Sequence, residues 1–252
     1  MILLIFGYYA LAESLFANDL YDLAQVEYQR IFFFDTTAHR NYQLRLHYTI
    51  VLLHQDFFTG YTEIDKVLED FPESAIPTRM ILAKTLINTG NYGRAIDLLK
   101  SNLTKDSLTK KLMGFAYLFD HQYYNAMSEF QEIEFQLALR IEKYLKTPKK
   151  SVTRAMLFSV MMPGLGEVYA GDIGSGLRDL LLNLSSGFLL YNAVKHKRYV
   201  DAGIIFSFLF NRFYFGAIAN ASRIADENNE KKKNEFLKEM REEYNRFSTT
   251  LD

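Results

Sequence analysis

Asn91-Tyr92-Gly93-Arg94-Ala95 is one of four short stretches that superimpose on one another, with Leu20-Tyr21-Asp22-Leu23-Ala24, Asp56-Phe57-Phe58-Thr59-Gly60 and Gln122-Tyr123-Tyr124-Asn125-Ala126. In each, an aromatic residue is followed after two spacers by a small one: Tyr21 and Ala24, Phe57 and Gly60, Tyr92 and Ala95, Tyr123 and Ala126. The small residues fall at 24, 60, 95 and 126, at intervals of 36, 35 and 31. A period of that size marks stacked supersecondary units, each unable to bury its apolar face alone.

Other positions keep the same register. Twelve residues before each small residue stand Ala12, Tyr48, Ala83 and Gly114, and four residues after it stand Tyr28, Ile64, Leu99 and Phe130. Small residues let two antiparallel helices cross closely, and the bulky ones fill the layer beside the crossing. Tyr48 and Gly60 read as a swap, a large ring facing a missing side chain. Ser74-Ala75-Ile76-Pro77 opens a helix and Asn88-Thr89-Gly90-Asn91 stops one. This helical period resembles the tetratricopeptide repeat, and the resemblance implies that Pro72, twelve residues after Gly60, ends the second helix of its repeat. The resemblance implies an all-α superhelix whose concave groove holds a peptide or helix of another protein. Groove positions typical of the family would be Asn41, Arg45, Lys84, Lys110 and Lys111. They form no recognisable peptide clamp, so the partner is unnamed.

The character of the chain changes after a basic hinge at Lys146, Lys149, Lys150 and Arg154. Residues 1–150 hold 16 basic and 18 acidic side chains, whereas Ala155 to Ala225 hold 6 and 4. Three apolar runs follow: Ala155 to Ala170, Leu180 to Val194 (15 residues, no charge), and Ala202 to Ala221 (20 residues, with Arg212 alone). A bilayer asks for about 20 apolar residues. Only the third run reaches that length. Ile204 to Phe210 is apolar on nearly every side, unlike a helix of a soluble core. The expected organisation is therefore a repeat array over 1–146, a membrane-associated hairpin domain over 151–225 and a charged helical tail over 226–252.

The most specific string is Pro163-Gly164-Leu165-Gly166-Glu167-Val168-Tyr169-Ala170-Gly171, followed by Gly174 and Gly176. It resembles the Pro-Gly-x-Gly-Gln-x-Tyr-x-Gly signature of a bacterial membrane-hairpin group, loosely related to TM2-type domains and often joined to tetratricopeptide-like repeats. Tyr214-Phe215-Gly216 and Ala225 to Asn228 echo the same group, while Glu167 stands where Gln is usual and Ala217 where Asn is expected. The resemblance implies a tight hairpin built on Pro163, Gly164, Gly166, Tyr169, Gly171 and Gly176. Glu167 is expected in the hairpin turn, and Arg212 is expected to snorkel or to pair with Asp179 or Asp201.

Residues 1–12 admit two readings: a signal peptide cut after Ala10-Leu11-Ala12, or the first helix of the first repeat. The first would place the repeats in a periplasm. The basic hinge prefers the cytoplasmic side of an inner membrane. Topology stays open at this stage.

Much chemistry is excluded. There is no Cys, so no thiol nucleophile and no disulfide. A net charge of −1 gives no field to recruit nucleic acid. Gly164-Leu165-Gly166 lacks the third glycine and lysine of the phosphate-binding loops. His39, His47, His54, His121 and His196 are scattered; His47 and His54 could share a helical face but have no third ligand. No catalytic constellation, cofactor or metal is expected. The sequence thus reads as a membrane-anchored adaptor or scaffold at a bacterial envelope, its partners a protein in the groove and the lipid bilayer. The alternative is an integral component of an envelope assembly or transport machine, regulated by its repeats.

Aromatics make up 15% of the chain with no Trp. They fall into two groups, one at repeat positions and one between Phe206 and Phe215.

Overall fold

The computed structural model describes residues 2–102 and 106–250, with side chains from Gly7 onward, Phe57 excepted. Helices account for almost all of it, and no strand occurs among the described residues. The chain divides into two compact units, Met1–Leu145 and Lys146–Asp252.

The first unit is a ladder of helical hairpins. α1 (Ile2–Ala17) packs on α2 (Tyr21–Phe34), α3 (Tyr42–Gln55) on α4 (Phe57–Asp70), α5 (Ala75–Asn88) on α6 (Tyr92–Lys100), and α7 (Ser107–Phe119) on α8 (Tyr123–Ile133). α9 (Phe135–Lys146) follows. Successive hairpins join through α2 against α3, α3 against α5, α5 against α7 and α6 against α7. This is the arrangement of a tetratricopeptide-like array, in which alternate helices share one layer. The helix starts are set locally: Asn41, Asp56 and Asp106 each accept a hydrogen bond from a backbone N–H of the first turn, at 3.3, 3.4 and 2.8 Å. Pro72–Ser74 forms a 3₁₀ turn after α4. Ser74 precedes α5 without capping it through its side chain.

The register read from the sequence is a packing register. Ala12, Ala24, Ala83, Ala95 and Ala126 are fully buried, and so are Tyr28, Ile64, Leu99 and Phe130. A Cβ on Gly114 would lie 2.8 Å from the Phe130 ring, so the small and the large position meet directly in the fourth hairpin. The second hairpin differs from expectation. A Cβ on Gly60 would meet Leu53 at 2.9 Å and the Leu52 carbonyl carbon at 3.1 Å, both on α3. The Tyr48 ring turns instead toward the preceding hairpin, against Phe32 at 5.1 Å and Tyr28 at 6.1 Å. The gap at Gly60 is closed by backbone approach.

The turns repeat as well. Asp19, Gly90 and His121, each five residues before its small residue, take positive φ of 57°, 82° and 62°. In all three, the next residue's N–H reaches back to a carbonyl five positions earlier: Leu20 to Leu15, Asn91 to Leu86, Gln122 to Tyr117. This is the left-handed helix stop with its paired backbone bonds.

The second unit holds α10 (Val152–Met161), α11 (Leu165–Ala170), α12 (Ile173–Lys195), α13 (Tyr199–Ile204) and α14 (Asn211–Ser248). A π-helical segment, Ile205–Phe210, joins α13 to α14 without a break in direction, giving one helix of 50 residues from Tyr199 to Ser248. The apolar third run and the charged tail are therefore parts of a single helix. The tail is not charged all round, since Phe236, Met240, Tyr244 and Phe247 are buried along one stripe.

Candidate functional site

The glycine string builds a crossing point. Gly164 takes φ 101° at the start of α11 and Gly171 takes φ 111° at its end, a conformation that L side chains rarely adopt. A Cβ on Gly166 would lie 2.1 Å from the Ala155 carbonyl oxygen, 2.3 Å from Ser159 Oγ and 2.7 Å from Ala221. α10, α11 and α14 therefore meet with nothing but hydrogen at position 166. Gly176 brings α12 equally close, its missing Cβ 2.6 Å from the Gly164 carbonyl oxygen. Pro163 sits at the break between α10 and α11.

Side-chain amides and hydroxyls lock this crossing. The Tyr169 hydroxyl accepts from the Ser151 N–H at 3.1 Å, and the Lys150 ammonium lies 5.0 Å from the Tyr169 ring centre. The Tyr214 hydroxyl donates to the Val160 carbonyl at 2.7 Å, and Asn228 donates to the Ala170 carbonyl at 2.9 Å. The Asn229 side chain bonds both the N–H and the carbonyl of Lys150, each at 2.8 Å.

Glu167, expected in the hairpin turn, lies on the short helix α11 and is fully buried inside the crossing. Its Oε2 accepts from Ser159 Oγ at 2.9 Å, while Oε1 is buried without a donor. Burial pushes the Glu167 carboxyl above its ordinary value; the Ser159 hydroxyl opposes the rise and the neighbouring Asp179 carboxyl adds to it. Asp179 in turn accepts from Arg178 Nε at 3.0 Å and from Asn220 Nδ2 at 3.1 Å. Its cation is thus its chain neighbour, not Arg212, while Asp201 pairs with Arg198 at 3.6 Å. Ser159, Asn183, Ser186 and Asn220 are not singled out by the sequence, and Asp179 enters there only as a possible partner of Arg212. The available signal was three polar residues, Asp179, Asn183 and Ser186, at helical spacing in an otherwise apolar run.

Those residues expose how the hairpin of α12 with α13–α14 is organised. On α12 the buried side chains are Asp179, Asn183, Ser186 and Ala193, with Ser186 only 2% exposed. Leu177, Leu181, Leu184, Phe188 and Tyr191 point outward, Phe188 at 67%. On the opposing helix Ala202, Ala217 and Ala221 are buried, and Val200, Ile204, Phe206, Phe208 and Phe215 are exposed. Polar and small residues face inward, and large apolar residues face out. Aromatic rings stack along the outer face, Phe206 on Phe210 and Phe210 on Tyr214, at 6.0 and 5.9 Å. The helix Tyr199–Ser248 is long and apolar enough to cross a membrane. At the far end of the hairpin Lys195, Lys197 and Arg198 form a basic tip around a left-handed Lys197.

In the first unit, the expected groove residues are already engaged. Arg45 is buried and pairs with Glu63 at 2.6 Å and Asp70 at 3.3 Å, so it belongs to the second hairpin's interior rather than to a groove surface. Lys110 pairs with Glu132 and Lys111 with Glu134, each across from α7. Asn41 caps α3, and Lys84 is half-buried on α5 with a partner of its own. Among the aromatic positions, Tyr21 stacks on His54 at 4.1 Å, Tyr92 meets Phe119 at 5.8 Å and Tyr123 meets Tyr144 at 5.3 Å. The Phe57 side chain lies outside the described residues.

Three of the five histidines, His39, His47 and His54, stack on rings of the first hairpin. His47 lies 4.3 Å from Phe16 and bonds Glu13 at 2.9 Å, and His39 lies 4.7 Å from Phe32. Among the described residues no group of three or more His, Cys, Asp or Glu is placed to hold a metal.

No protein-family model matches the chain, and no curated protein does. The hairpin signature therefore has no family match behind it. Among solved structures, the chain is similar to one titled "MamA RS-1 ArsTM double mutant", at 13% identity and a TM-score of 0.39, over 88% of this chain and 97% of that one. A superposition that loose assigns neither fold nor function.

Proposed function

We propose that the chain is a membrane-anchored helical-repeat scaffold of a bacterial envelope. The first unit offers a ladder of hairpins for binding another protein, and the hairpin of the second unit holds it at the bilayer. The observation that carries this reading is the inverted burial of α12 and α13–α14: Asn183 and Ser186 inside, Phe188 and Phe208 outside. Water would drive the opposite arrangement, whereas in lipid the tails accept leucine and phenylalanine, and polar or small side chains hold helices together. Contiguous apolar surface of this extent is rare on a soluble monomer. The basic tip and the basic hinge supply charges suited to headgroups on either side. Nothing in this reading calls for catalysis.

The test is alkaline carbonate extraction of the full chain, followed by flotation with phosphatidylcholine vesicles. The chain is expected to remain in the membrane pellet and to float. Release into the carbonate supernatant would overturn the anchor.

A second reading is favoured by the buried Glu167–Asp179 pair: an integral component of a transport machine in which these carboxyls take part. Under it, substituting Glu167→Gln would abolish transport activity; under the scaffold reading it leaves partner recruitment unchanged.

A further inference from the structure

At the base of the hairpin, between α12 and α14, lies a cleft of about 270 Å³. Arg178, Asp179 and Asn183 line it from α12, and Arg212, Phe213 and Asn220 from α14. Two of these carry guanidinium groups, and their surroundings differ.

Arg178 is engaged at one point, Nε to Asp179 at 3.0 Å, and its side chain is 62% exposed. The carboxylate it meets is occupied on both oxygens, the second accepting from Asn220 at 3.1 Å. The acid in this cleft is thus held in place and turned to its own network. Arg212 is exposed, and among the described residues its guanidinium has no ion-pair or hydrogen-bond partner. It is also the one charge between Ala202 and Ala221. A guanidinium in that position calls for an anion, and none of the described residues supplies one.

The depth of the two arginines narrows what that anion is. Asn183 donates to the Phe213 carbonyl at 3.2 Å, which sets Arg212 level with Asn183 on α12. Arg178 lies five residues nearer the base, about 7.5 Å along the helix. The base is the polar end of the hairpin, where Arg223 pairs with Glu227 and Asn228 and Asn229 tie down Ala170 and Lys150. With the hairpin in a bilayer, as proposed above, Arg178 stands at the depth of the lipid headgroups, and Arg212, about 7.5 Å deeper, lines the same cleft with a side chain long enough to snorkel toward them. Guanidinium binds phosphate through parallel N–H bonds more strongly than ammonium does. The cleft has room for a phosphodiester beside the Phe213 ring, and its unbalanced charge is positive.

We propose that this cleft binds the phosphodiester headgroup of an anionic phospholipid, Arg178 and Arg212 gripping the phosphate from the two helices. The site gives the anchor a preference for acidic membranes that apolar area alone would not provide.

The test reconstitutes the full chain into vesicles of phosphatidylcholine with a minor share of phosphatidylglycerol. Floated protein is re-extracted in mild detergent, and retained lipid is counted by native mass spectrometry. The wild-type chain is expected to retain phosphatidylglycerol over phosphatidylcholine. Arg212→Gln, which breaks no bond within the protein, should lower that retention about tenfold, as loss of one charge-assisted hydrogen-bonding group predicts. Arg178→Gln should do the same, and Arg212→Lys should fall between. Equal retention of phosphatidylglycerol by Arg212→Gln and the wild type, or equal retention of the two lipids by the wild type, would overturn the site while leaving the anchor intact. Displacement of the lipid by millimolar inorganic phosphate would assign the cleft to free phosphate and overturn the lipid. A chain that does not float at all overturns both readings together.

Discussion

The two units solve packing in opposite senses. In the first, Tyr28, Ile64, Leu99 and Phe130 are inside and the charged residues cover the outside or pair across helices. In the second, α12 turns Asp179, Asn183 and Ser186 inward and shows leucines and phenylalanines to its surroundings. Overall composition does not separate these designs, since both units are helical and aromatic-rich. What separates them is the face on which a residue type stands, and that face reports the solvent each unit is built for.

The widest expected effect comes from placing charge on the outer face of the hairpin. In Phe188→Arg with Phe208→Arg, each arginine should cost about 2.5–3.5 kcal/mol of insertion near the bilayer centre, and vesicle flotation should be lost. On a water-facing helix the same pair would be close to neutral. Undiminished flotation would break the comparison.

Next comes Gly166→Leu. With Ala155, Ser159 and Ala221 already closer than van der Waals contact allows for a Cβ, the crossing of α10, α11 and α14 cannot form. The loss should exceed about 4 kcal/mol, read as disappearance of the second unit's thermal transition in detergent while that of the repeat array survives.

A matched pair of phenylalanines comes third. Phe130→Ala removes a fully buried ring that packs on Phe115 at 5.0 Å and should cost about 3–5 kcal/mol by denaturant unfolding. Phe208→Ala, 70% exposed, should cost less than about 0.5 kcal/mol in detergent. Equal costs would mean that the hairpin is packed like the array after all.

The smallest effect is on Glu167. Because the folded state raises this carboxyl above its ordinary 4.5, the protonated form is favoured by folding. That contribution is complete below the ordinary value and is lost as pH rises through the raised one. Glu167→Gln should therefore stabilise the second unit at neutral pH by about 1–3 kcal/mol and flatten its acid-to-neutral slope, because the neutral amide carries no charge to bury beside the Asp179 carboxyl. An unchanged melting profile between acid and neutral pH would rule this out.

Much of the array could be read from spacing alone, because the crossing of two helices demands a small residue wherever it occurs. Ala12, Ala83 and Ala95 stand where that demand places them. The left-handed turns at Asp19 and His121 were hidden, since only Gly90 uses the residue that announces such a turn. The groove assignment failed at Arg45 for a different reason: a guanidinium on a helix face reads as surface until its partners Glu63 and Asp70, on the neighbouring helix, are known. In the second unit the glycines showed that something passes close, but not what. The buried carboxyls went unread because hydropathy averages over a helix and the decisive information lies in which side each polar residue takes.

The pair of hydrogen bonds between the Asn229 side chain and the Lys150 backbone has a consequence in time. It joins residues 79 apart, so the ring that encloses the hairpin cannot close until nearly the whole second unit has left the ribosome. At about 5–20 residues per second, that is roughly 4–16 s during which α10 waits for its partner on α14. Each hairpin of the first unit, by contrast, can shut as soon as its second helix emerges. The apolar hairpin thus leaves the exit tunnel before the clasp at its base exists, and it can meet a membrane while still unfastened.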